Sequence, residues 1–458
     1  MPGQGAHAEP RTDADARPTA PTGQTARHPP IPRAVRILRS RPPPRSMTLC
    51  LFEDAAVGHL APLARTRPAS DLRTGARTLG ERLLAAFPHD RWAIHARRTV
   101  RDVAALEHPD AARGDALDGT PTLFVNARWL VHDDDTRDLV QRLARAGEPR
   151  AVVHDASGTL LALVHPTPPA AWTDADVFAP DLDGIEADTA PADLVSRLWH
   201  LLDDVGARIA EDLRDMGGLG EIHGTVMDGA HLVAPEHVHV ANGATVRTGA
   251  VLDASGGPIR LDPGATVGEN AVVRGPVWIG PGATVNPACR IDQSAVGERS
   301  KVGGEVHASV LHSFSSKGHD GYLGNSSLGR WCNLGAATDT SNLKNDYGEV
   351  TQWDAVEGDF VGTGRQFVGL VMGDHSKCSI HTMFNTGTVV DVFCNLYGAG
   401  FPPRHVPPFS WGGADGLVPY RTDKAFRVAE AVMARREREL SAAERTLLTE
   451  IATASHRD

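Results

Sequence analysis

Polar residues of several catalytic types gather between residues 316 and 348, in a part of the chain that is otherwise a regular repeat. An imidazole with a pKa near 6.5 can remove a proton from an attacking amine at neutral pH, so His319 is the natural general base. Amide, phenol and ammonium groups nearby could orient a polar substrate. The alternative is that His319 and Asn333 only cap turns of the repeat. The residues concerned are His319, Asp320, Tyr322, Asn333, Asn342, Lys344 and Asp346.

Lysine is rare in this chain, which makes its placement informative. Of 46 basic residues only five are lysine, and four of these lie between residues 301 and 377. Lysine offers a compact ammonium where arginine offers a planar fork. We therefore predict that Lys317 and Lys344 bind the substrate, although chance placement explains the pattern equally well.

A second charged cluster lies near the N-terminus, in "FEDAAVGHLAPLARTRPASDLRTG" at residues 52–75. Guanidinium groups bind phosphate bidentately, which makes Arg65, Arg67 and Arg73 candidate phosphate ligands. Carboxylates are typical Mg²⁺ ligands, and the candidates here are Glu53, Asp54 and Asp71. The alternative is a solvated loop with ordinary turn-capping charges. A glycine-rich phosphate-binding loop is absent from this segment.

The repeat that surrounds the polar stretch has a period of six. An α-helix would show a period of 3.6 and a flat strand a period of 2, so the pattern predicts a hexapeptide parallel β-helix over residues 221–400. Each hexad then forms one short strand and turn, and its apolar residue points into a prism. The positions are Val240, Val246, Leu252, Leu261, Val267, Val273, Ile279, Val285, Ile291, Met372, Cys378, Phe384, Val390 and Leu396.

Strand-like and helix-like segments alternate from Met47, which predicts a small α/β domain over residues 47–190. Within it, 166–190 looks like a linker rich in Pro, Asp and Ala. An amphipathic helix is predicted at 191–216, within a connecting segment 191–220. Residues 1–46 have no periodic apolar face and are predicted to be a disordered tail.

The C-terminal segment, residues 401–458, is predicted to form a loop and helices. The prolines of "YGAGFPPRHVPPFSWGG" at 397–413 cannot sit in a strand ladder, so the chain should leave the prism there. Ser441 and Glu444 form a possible capping box at the start of the last helix.

Composition narrows the class of protein. A net charge of −11 argues against a nucleic-acid binder, because neutralising phosphates needs a basic face. The five cysteines are widely spaced and form no CxxC pair, which fits reduced thiols in a cytosol. No apolar run approaches the roughly 20 residues that cross a bilayer. We expect a cytoplasmic protein, with no nucleic-acid or membrane partner, that assembles as a homotrimer of β-helices.

The strings "SKGHDGYLG" and "LGRWCNLGAATDTSNLKNDYG" resemble the acetyltransferase centre of the bacterial bifunctional N-acetylglucosamine-1-phosphate uridylyltransferase / glucosamine-1-phosphate N-acetyltransferase family. They resemble still more closely a branch of sugar nucleotidyltransferases with a short N-terminal domain. In that branch, strings similar to those at 303–306, 319–324, 340–345 and 398–413 recur. The resemblance implies a left-handed β-helix joined to an α/β nucleotidyltransferase-like domain, acetyl-CoA as acyl donor, and a role in UDP-N-acetylglucosamine and hence cell-wall synthesis. Mg²⁺ and UTP would serve nucleotidyl transfer.

By position, the resemblance implies that His319 is the catalytic base and that Tyr322 lies at the sugar phosphate. Asn333 and Asn342 would line the sugar and the thioester, and Lys344 would be a phosphate partner. The backbone of Gly335, Ala336 and Ala337 would face acetyl-CoA, where the family usually has Gly-Ala-Gly.

Two other functions stay open. His307 and His312 resemble the zinc ligands of β-helical carbonic anhydrases, and with His319 they would make an open catalytic zinc site. The chain could also be a trimeric scaffold that binds a nucleotide-sugar without catalysis.

Overall fold

The computed structural model describes residues 47–455 apart from residues 118, 120, 133 and 147. The predicted tail, residues 1–46, lies outside the described residues.

The N-terminal domain is built on a seven-stranded sheet of order β3-β2-β1-β4-β7-β6-β8. Strands β1 to β4 are parallel, whereas β7 runs antiparallel to both β4 and β6. The sheet faces are covered by helices and by the segment after β7. The strands are β1 Thr48–Phe52, β2 Arg91–His95, β3 Ala112–Arg113, β4 Thr122–Asn126, β5 Trp129–Leu130, β6 Arg150–His154, β7 Leu160–His165, β8 Glu186–Ala190 and β9 Asp193–Leu194. The helices are α1 Leu79–Ala86, α2 Arg98–Glu107, α3 Asp134–Ala146, α4 Ala170–Thr173 and α5 Val205–Met216.

Two predictions about this domain are wrong in detail. The expected linker 166–190 contains α4 and β8, and β8 pairs in parallel with β6, so this segment belongs to the sheet. The helix expected over 191–216 begins only at Val205, because β9 pairs with β5 and Asp204 adopts a left-handed backbone with φ of 51°. Leu198 and Leu201 are buried all the same, and Leu194 and Leu202 are partly buried, which explains why their spacing imitates a helix.

The second half of the chain is a parallel β-helix with three faces. The first face is β10-β13-β16-β19-β22-β25, the second is β11-β14-β17-β20-β23-β26, and the third is β12-β15-β18-β21-β24-β27-β31-β34-β36. Its strands are β10 Thr225–Val226, β11 His231–Val233, β12 Val238–Val240, β13 Thr245–Val246, β14 Val251–Asp253, β15 Ile259–Leu261, β16 Thr266–Val267, β17 Val272–Arg274, β18 Val277–Ile279, β19 Thr284–Val285, β20 Arg290–Asp292, β21 Ala295–Val296, β22 Lys301–Val302, β23 Glu305–His307, β24 Val310–Leu311, β25 Ser316–Lys317, β26 Tyr322–Gly324, β27 Ser327–Leu328, β28 Asp339–Thr340, β29 Thr351–Asp354, β30 Asp359–Gly362, β31 Val371–Met372, β32 Lys377–Cys378, β33 Met383–Phe384, β34 Val389–Val390, β35 Asn395–Leu396, β36 His405–Val406, β37 Ser410–Gly413 and β38 Gly416–Pro419.

The apolar residues of the hexads fill the prism, where they form one continuous buried cluster. Val246, Val267 and Val285 stand directly above one another at the inward position of the first face. The predicted fold, an α/β domain joined to a left-handed parallel β-helix with C-terminal helices, is confirmed. An antiparallel hairpin, β29–β30, projects from the prism after the polar stretch.

The prediction that the chain leaves the prism at 397–413 is wrong. Strands β36 and β37 continue two of the ladders. Pro402 and Pro403 precede β36, and Pro407 and Pro408 lie between β36 and β37, so all four are outside the strands, where no ladder hydrogen bond is lost. The chain leaves the prism after β38 and forms α6 Thr422–Ala434 and α7 Ala442–Ser455. The predicted capping box is present, since the Glu444 amide donates to Ser441 Oγ at 3.2 Å and the Ser441 amide donates to Glu444 at 2.8 Å.

A column of stacked rings runs along one corner of the prism and receives these helices. Each ring residue has a left-handed backbone, and neighbouring centroids lie between 4.3 and 6.1 Å apart. Phe426 of α6 packs edge-on against the top of the column. The column comprises Phe314, Trp331, His375, Phe393 and Phe409.

Candidate active site

The predicted base lies in a turn at another corner of the prism, between β25 and β26. This turn comprises residues 318–321, and the His319 side chain is exposed to solvent. Strand β25 pairs with β22 and strand β26 pairs with β23 on the coil below. These two ladders fix where the turn begins and ends.

Gly335, Ala336 and Ala337, which are predicted to face acetyl-CoA, belong to a turn at residues 335–338 that stacks directly on the turn that bears His319. The Ala337 amide donates to the Asp320 carbonyl at 3.0 Å. A Cβ built on Gly321 would lie 2.1 Å from the carbonyl oxygen of Thr338, so only glycine allows the two turns to approach this closely. The structure therefore brings the predicted base and the predicted thioester-binding backbone to the same corner.

Tyr322 and Asn342 are joined in a hydrogen-bonded group beside that corner. Asn342 Nδ2 donates to the Tyr322 hydroxyl at 3.1 Å and to Asn325 Oδ1 at 2.8 Å. Burial raises the pKa of Tyr322, so its hydroxyl keeps its proton and can donate to a substrate oxygen. Sequence reasoning missed Asn325, which stands with a left-handed backbone at φ of 46° and orients Asn342.

Asn333 lies on the outer side of the first face, between Ser316 on the coil below and Lys377 on the coil above. Its side chain is exposed, whereas Lys377 is only partly accessible. Burial lowers the pKa of Lys377 to about 8, and its Nζ donates to the His375 carbonyl at 2.8 Å. The structure places Asn333 on the outer surface close to the two stacked turns.

The two predicted substrate lysines differ sharply. Lys344 is exposed, and its Nζ contacts the Glu349 carbonyl at 3.3 Å, so it stays a candidate phosphate partner. Lys317 is wrong as a substrate ligand, because it occupies the inward position of β25 and is only 1% exposed.

The departure from the family pattern at Ala337 has a structural meaning. Ala337 has a left-handed backbone with φ of 54°, which favours glycine. Gly335 is constrained in a different way, because a Cβ there would lie 2.3 Å from the Ser379 carbonyl carbon on the coil above. The chain thus keeps glycine at position 335, where a Cβ would collide with the neighbouring backbone, and has alanine at position 337, where only the φ angle is unfavourable.

The predicted histidine zinc site does not form. His307 bonds to Asp292 at 2.6 Å, and His312 is buried with its Nδ1 at 3.0 Å from Arg67. Among the described residues, three side chains that could ligate one metal ion come together only at His59, Asp354 and Glu357. Arg197 already pairs with both of those carboxylates, at 3.3 and 3.6 Å. We therefore abandon the zinc hypothesis.

The three arginines predicted to bind phosphate instead contact the β-helix or their own loop. Arg65 Nε donates to Asp391 at 2.8 Å. Arg67 is buried against Asp374 and His312. Arg73 donates to the Ala76 carbonyl and lies 4.5 Å from the Trp278 ring centroid.

The carboxylates predicted to bind Mg²⁺ are also engaged. Both oxygens of Asp54 accept from Arg128, at 2.8 and 2.6 Å, and this pair outweighs burial in lowering the Asp54 pKa. Asp71 accepts from His108 at 2.8 Å. Glu53 accepts from Arg97 at 2.6 Å. Because these oxygens are already neutralised and the three carboxylates do not converge, they do not fit a Mg²⁺ ion.

Two separate clefts, of about 480 Å³ and about 1040 Å³, are lined by residues both of the N-terminal half and of the β-helix. The larger one, of about 1040 Å³, lies at the carboxyl ends of β1 and β2, where ligands bind in open α/β sheets. Its lining includes Arg65 and Arg97 from the N-terminal domain and Trp353 and His405 from the β-helix. The Trp353 and His405 rings stack at 3.9 Å, and burial lowers the His405 pKa to about 4, so the imidazole is neutral.

Comparison with known proteins bears on both halves. Residues 49–216 match the family described as sugar nucleotidyl transferase. This match confirms the predicted resemblance for the N-terminal part. The bifunctional protein GlmU of Ralstonia nicotianae is 28% identical over 169 residues, covering 31% of this chain and 36% of that protein. The bifunctional sugar-1-phosphate nucleotidylyltransferase/acetyltransferase of Sulfurisphaera tokodaii is 30% identical over 111 residues, covering 24% of this chain and 27% of that protein.

The matches thus span about a third or less of these relatives, both of which are named as bifunctional. The Sulfurisphaera protein is by name a transferase, which confirms the predicted enzyme class at that level. A hexapeptide transferase family protein of Anaplasma phagocytophilum is 12% identical, with 50% of this chain and 99% of that chain covered at a TM-score of 0.21. Among the described residues, no helix is both long and apolar enough to cross a membrane.

Proposed function

We propose that the corner built from residues 318–321 and 335–338 is the active site of an acetyl-CoA-dependent N-acetyltransferase. Its substrate is an amino sugar 1-phosphate, and glucosamine-1-phosphate is the first to test. The observation that carries this proposal is the stacking of the His319 turn under the Ala337 turn, with 3.0 Å between the Ala337 amide and the Asp320 carbonyl.

In the proposed reaction the sugar amine attacks the thioester carbonyl carbon, and His319 accepts the proton that the nitrogen releases. The C–N bond forms as the C–S bond breaks, and the sulfur leaves as the thiol of coenzyme A after taking up a proton. A backbone N–H of the 335–338 turn would stabilise the oxyanion of the tetrahedral intermediate. Tyr322, held by Asn342, would donate to the sugar phosphate.

The test is release of free thiol from acetyl-CoA with glucosamine-1-phosphate as acceptor. His319→Ala should lower kcat on the order of 10²- to 10⁴-fold, as expected for loss of a general base. His223→Ala is the matched control, because His223 is an exposed histidine on the first coil of the same β-helix. A wild-type protein that is inert across amino sugar phosphates would refute the proposal.

A second proposed function, nucleotide-sugar binding or nucleotidyl transfer, rests on the cavity of about 1040 Å³ at the carboxyl ends of β1 and β2. The arginines at its edge and the Trp353–His405 stack would suit a phosphate and a flat base. UTP should raise the thermal midpoint, and Trp353→Ala should reduce that shift. Formation of a nucleotide-sugar product distinguishes an active nucleotidyltransferase from a binding module. If neither UTP nor UDP-N-acetylglucosamine raises the thermal midpoint, both functions are rejected.

We further propose a cytoplasmic homotrimer, in which a neighbouring copy packs along the exposed corner. Sedimentation velocity of the purified chain measures the assembly directly.

A further inference from the structure

One inward position of the prism breaks the rule that its neighbours obey. On the first face the inward residues at successive coils are aliphatic until Val302, and the next is Lys317, which is 1% exposed. The coils above return to Leu334 and Cys378. An ammonium buried in an otherwise apolar core costs several kcal/mol before its partners are counted, so its contacts need an explanation.

The contacts of Lys317 lead to the proposed base. Its Nζ donates to the Gly303 carbonyl at 3.1 Å and to the His319 carbonyl at 2.5 Å. From two coils below, Asn286 Nδ2 donates to the Gly318 carbonyl at 2.6 Å. Two side chains therefore hold two consecutive carbonyls of the His319 turn from inside and beneath.

The need for side-chain donors follows from the length of the turn below. At this corner the coils mostly use four residues, as in 286–289 and 318–321, but the turn between β22 and β23 is only Gly303 and Gly304. The Gly303 amide donates to the Lys317 carbonyl at 2.7 Å, and the Glu305 amide donates to the Gly321 carbonyl at 3.1 Å. The carbonyls of residues 318 and 319 lie between these bonds and accept from the Asn286 and Lys317 side chains instead. Backbone carbonyls are strong acceptors that folded chains nearly always pair.

We infer that Lys317 is a positioning residue, whose buried ammonium fixes the backbone of the turn from which His319 reaches the substrate. This inference rests on the proposed acetyltransferase function for its consequence in catalysis. A compact ammonium suits the place better than a guanidinium, because it must reach two carbonyls from inside a narrow prism. The lysine acts through His319 and does not touch the substrate.

The experiment compares Lys317→Met with Lys301→Met in the full chain. Methionine has nearly the same length and suits the apolar interior, so the thermal midpoint should be unchanged or higher. Lys301 is the matched control, because it is an exposed lysine on the coil below and on the same face. Two quantities are measured for each variant: amide hydrogen exchange of residues 318–322, and kcat and KM for acetyl transfer.

For Lys317→Met we expect exchange at residues 318–322 to rise at least tenfold and kcat to fall 10- to 100-fold, with KM for acetyl-CoA within twofold. Lys317→Gln keeps two N–H donors without the charge and should recover part of both effects. Unchanged exchange in Lys317→Met, or faster exchange with unchanged kcat, would overturn the inference. If the wild type transfers no acetyl group, the proposed function fails, whereas the exchange measurement still decides whether Lys317 holds the turn.

Discussion

Replacing Asp374 with asparagine tests whether Arg67 joins the two domains or serves a phosphate. Asp374 accepts from Arg67, from Thr66 Oγ1 at 2.7 Å and from the Arg330 amide at 2.7 Å. The side chains of Arg67 and Asp374 are 2% and 8% exposed, so solvent screens this pair very little. Asparagine keeps the shape but leaves the Arg67 guanidinium with His312 as its remaining side-chain partner.

The size of the effect follows from burial. Removing one partner of a buried ion pair costs about 3–5 kcal/mol, because the other charge stays buried and uncompensated. Asp374→Asn should therefore lower the free energy of the first unfolding transition in urea by about that amount. The control is Asp423→Asn in the exposed pair with Arg427, where a much smaller loss is expected because water screens the two charges.

The pair also predicts a pH dependence with a definite sign. Burial alone would raise the Asp374 pKa, but the Arg67 charge and the Thr66 hydroxyl outweigh it and lower the pKa below its ordinary value. The stabilisation is therefore present above the ordinary pKa of aspartate and is lost as pH falls through the lowered value. Wild type should lose this contribution in acid, and Asp374→Asn should not.

A loss below 1 kcal/mol in Asp374→Asn would refute this account of the interface. The arginine itself offers a second check. The double variant Arg67→Met/Asp374→Asn removes both charges and should recover much of the stability, because apolar replacements of buried pairs are often neutral. If Arg67→Met instead abolishes UTP binding without loss of stability, Arg67 is a phosphate ligand after all.

Three further substitutions test local features. Ala337→Gly should stabilise the chain by about 0.5–1 kcal/mol, since φ is 54° there, and a loss of stability in urea unfolding would contradict this. Gly335→Ala should destabilise by more than about 1 kcal/mol because its Cβ would meet the Ser379 backbone at 2.3 Å, and an unchanged thermal midpoint would show that the coils can separate. Ser441→Ala should cost about 1 kcal/mol through loss of the α7 cap, read from helix exchange rates, and unaltered exchange would dismiss the capping role.

The β-helix could be predicted because its core positions recur at a fixed interval along the sequence. A residue every sixth position fixes strand, turn and inward face together, so the core positions follow directly from the sequence. The failure at 397–413 has the same origin. The strands here, β36 and β37, are only two and four residues long, and a proline beside such a strand costs no ladder bond, so proline content says little about where the prism ends.

The N-terminal domain was harder, because residue type does not specify a partner. Arg65 and Arg67 are suited to phosphate, yet Asp391 and Asp374 offer the same carboxylate geometry from more than 300 positions further along the chain. Nothing local in "PLARTRP" distinguishes these outcomes. The prediction of a helix before Val205 failed for a similar reason, since burial outside a helix and burial on a helix select the same residue types.

The sequence predicts the residues of the candidate site, and the structure shows how the turns that carry them are built. The spacing of inward residues on adjacent coils changes at the start of the stretch 316–348. Val302 and Lys317 lie 15 positions apart, whereas Val267 and Val285 lie 18 apart. The two-residue turn at 303–304 shortens this coil, and the Asn286 and Lys317 side chains donate to carbonyls of the turn above it. The irregular sequence that first suggested catalysis therefore also records how the turn of the proposed base is supported.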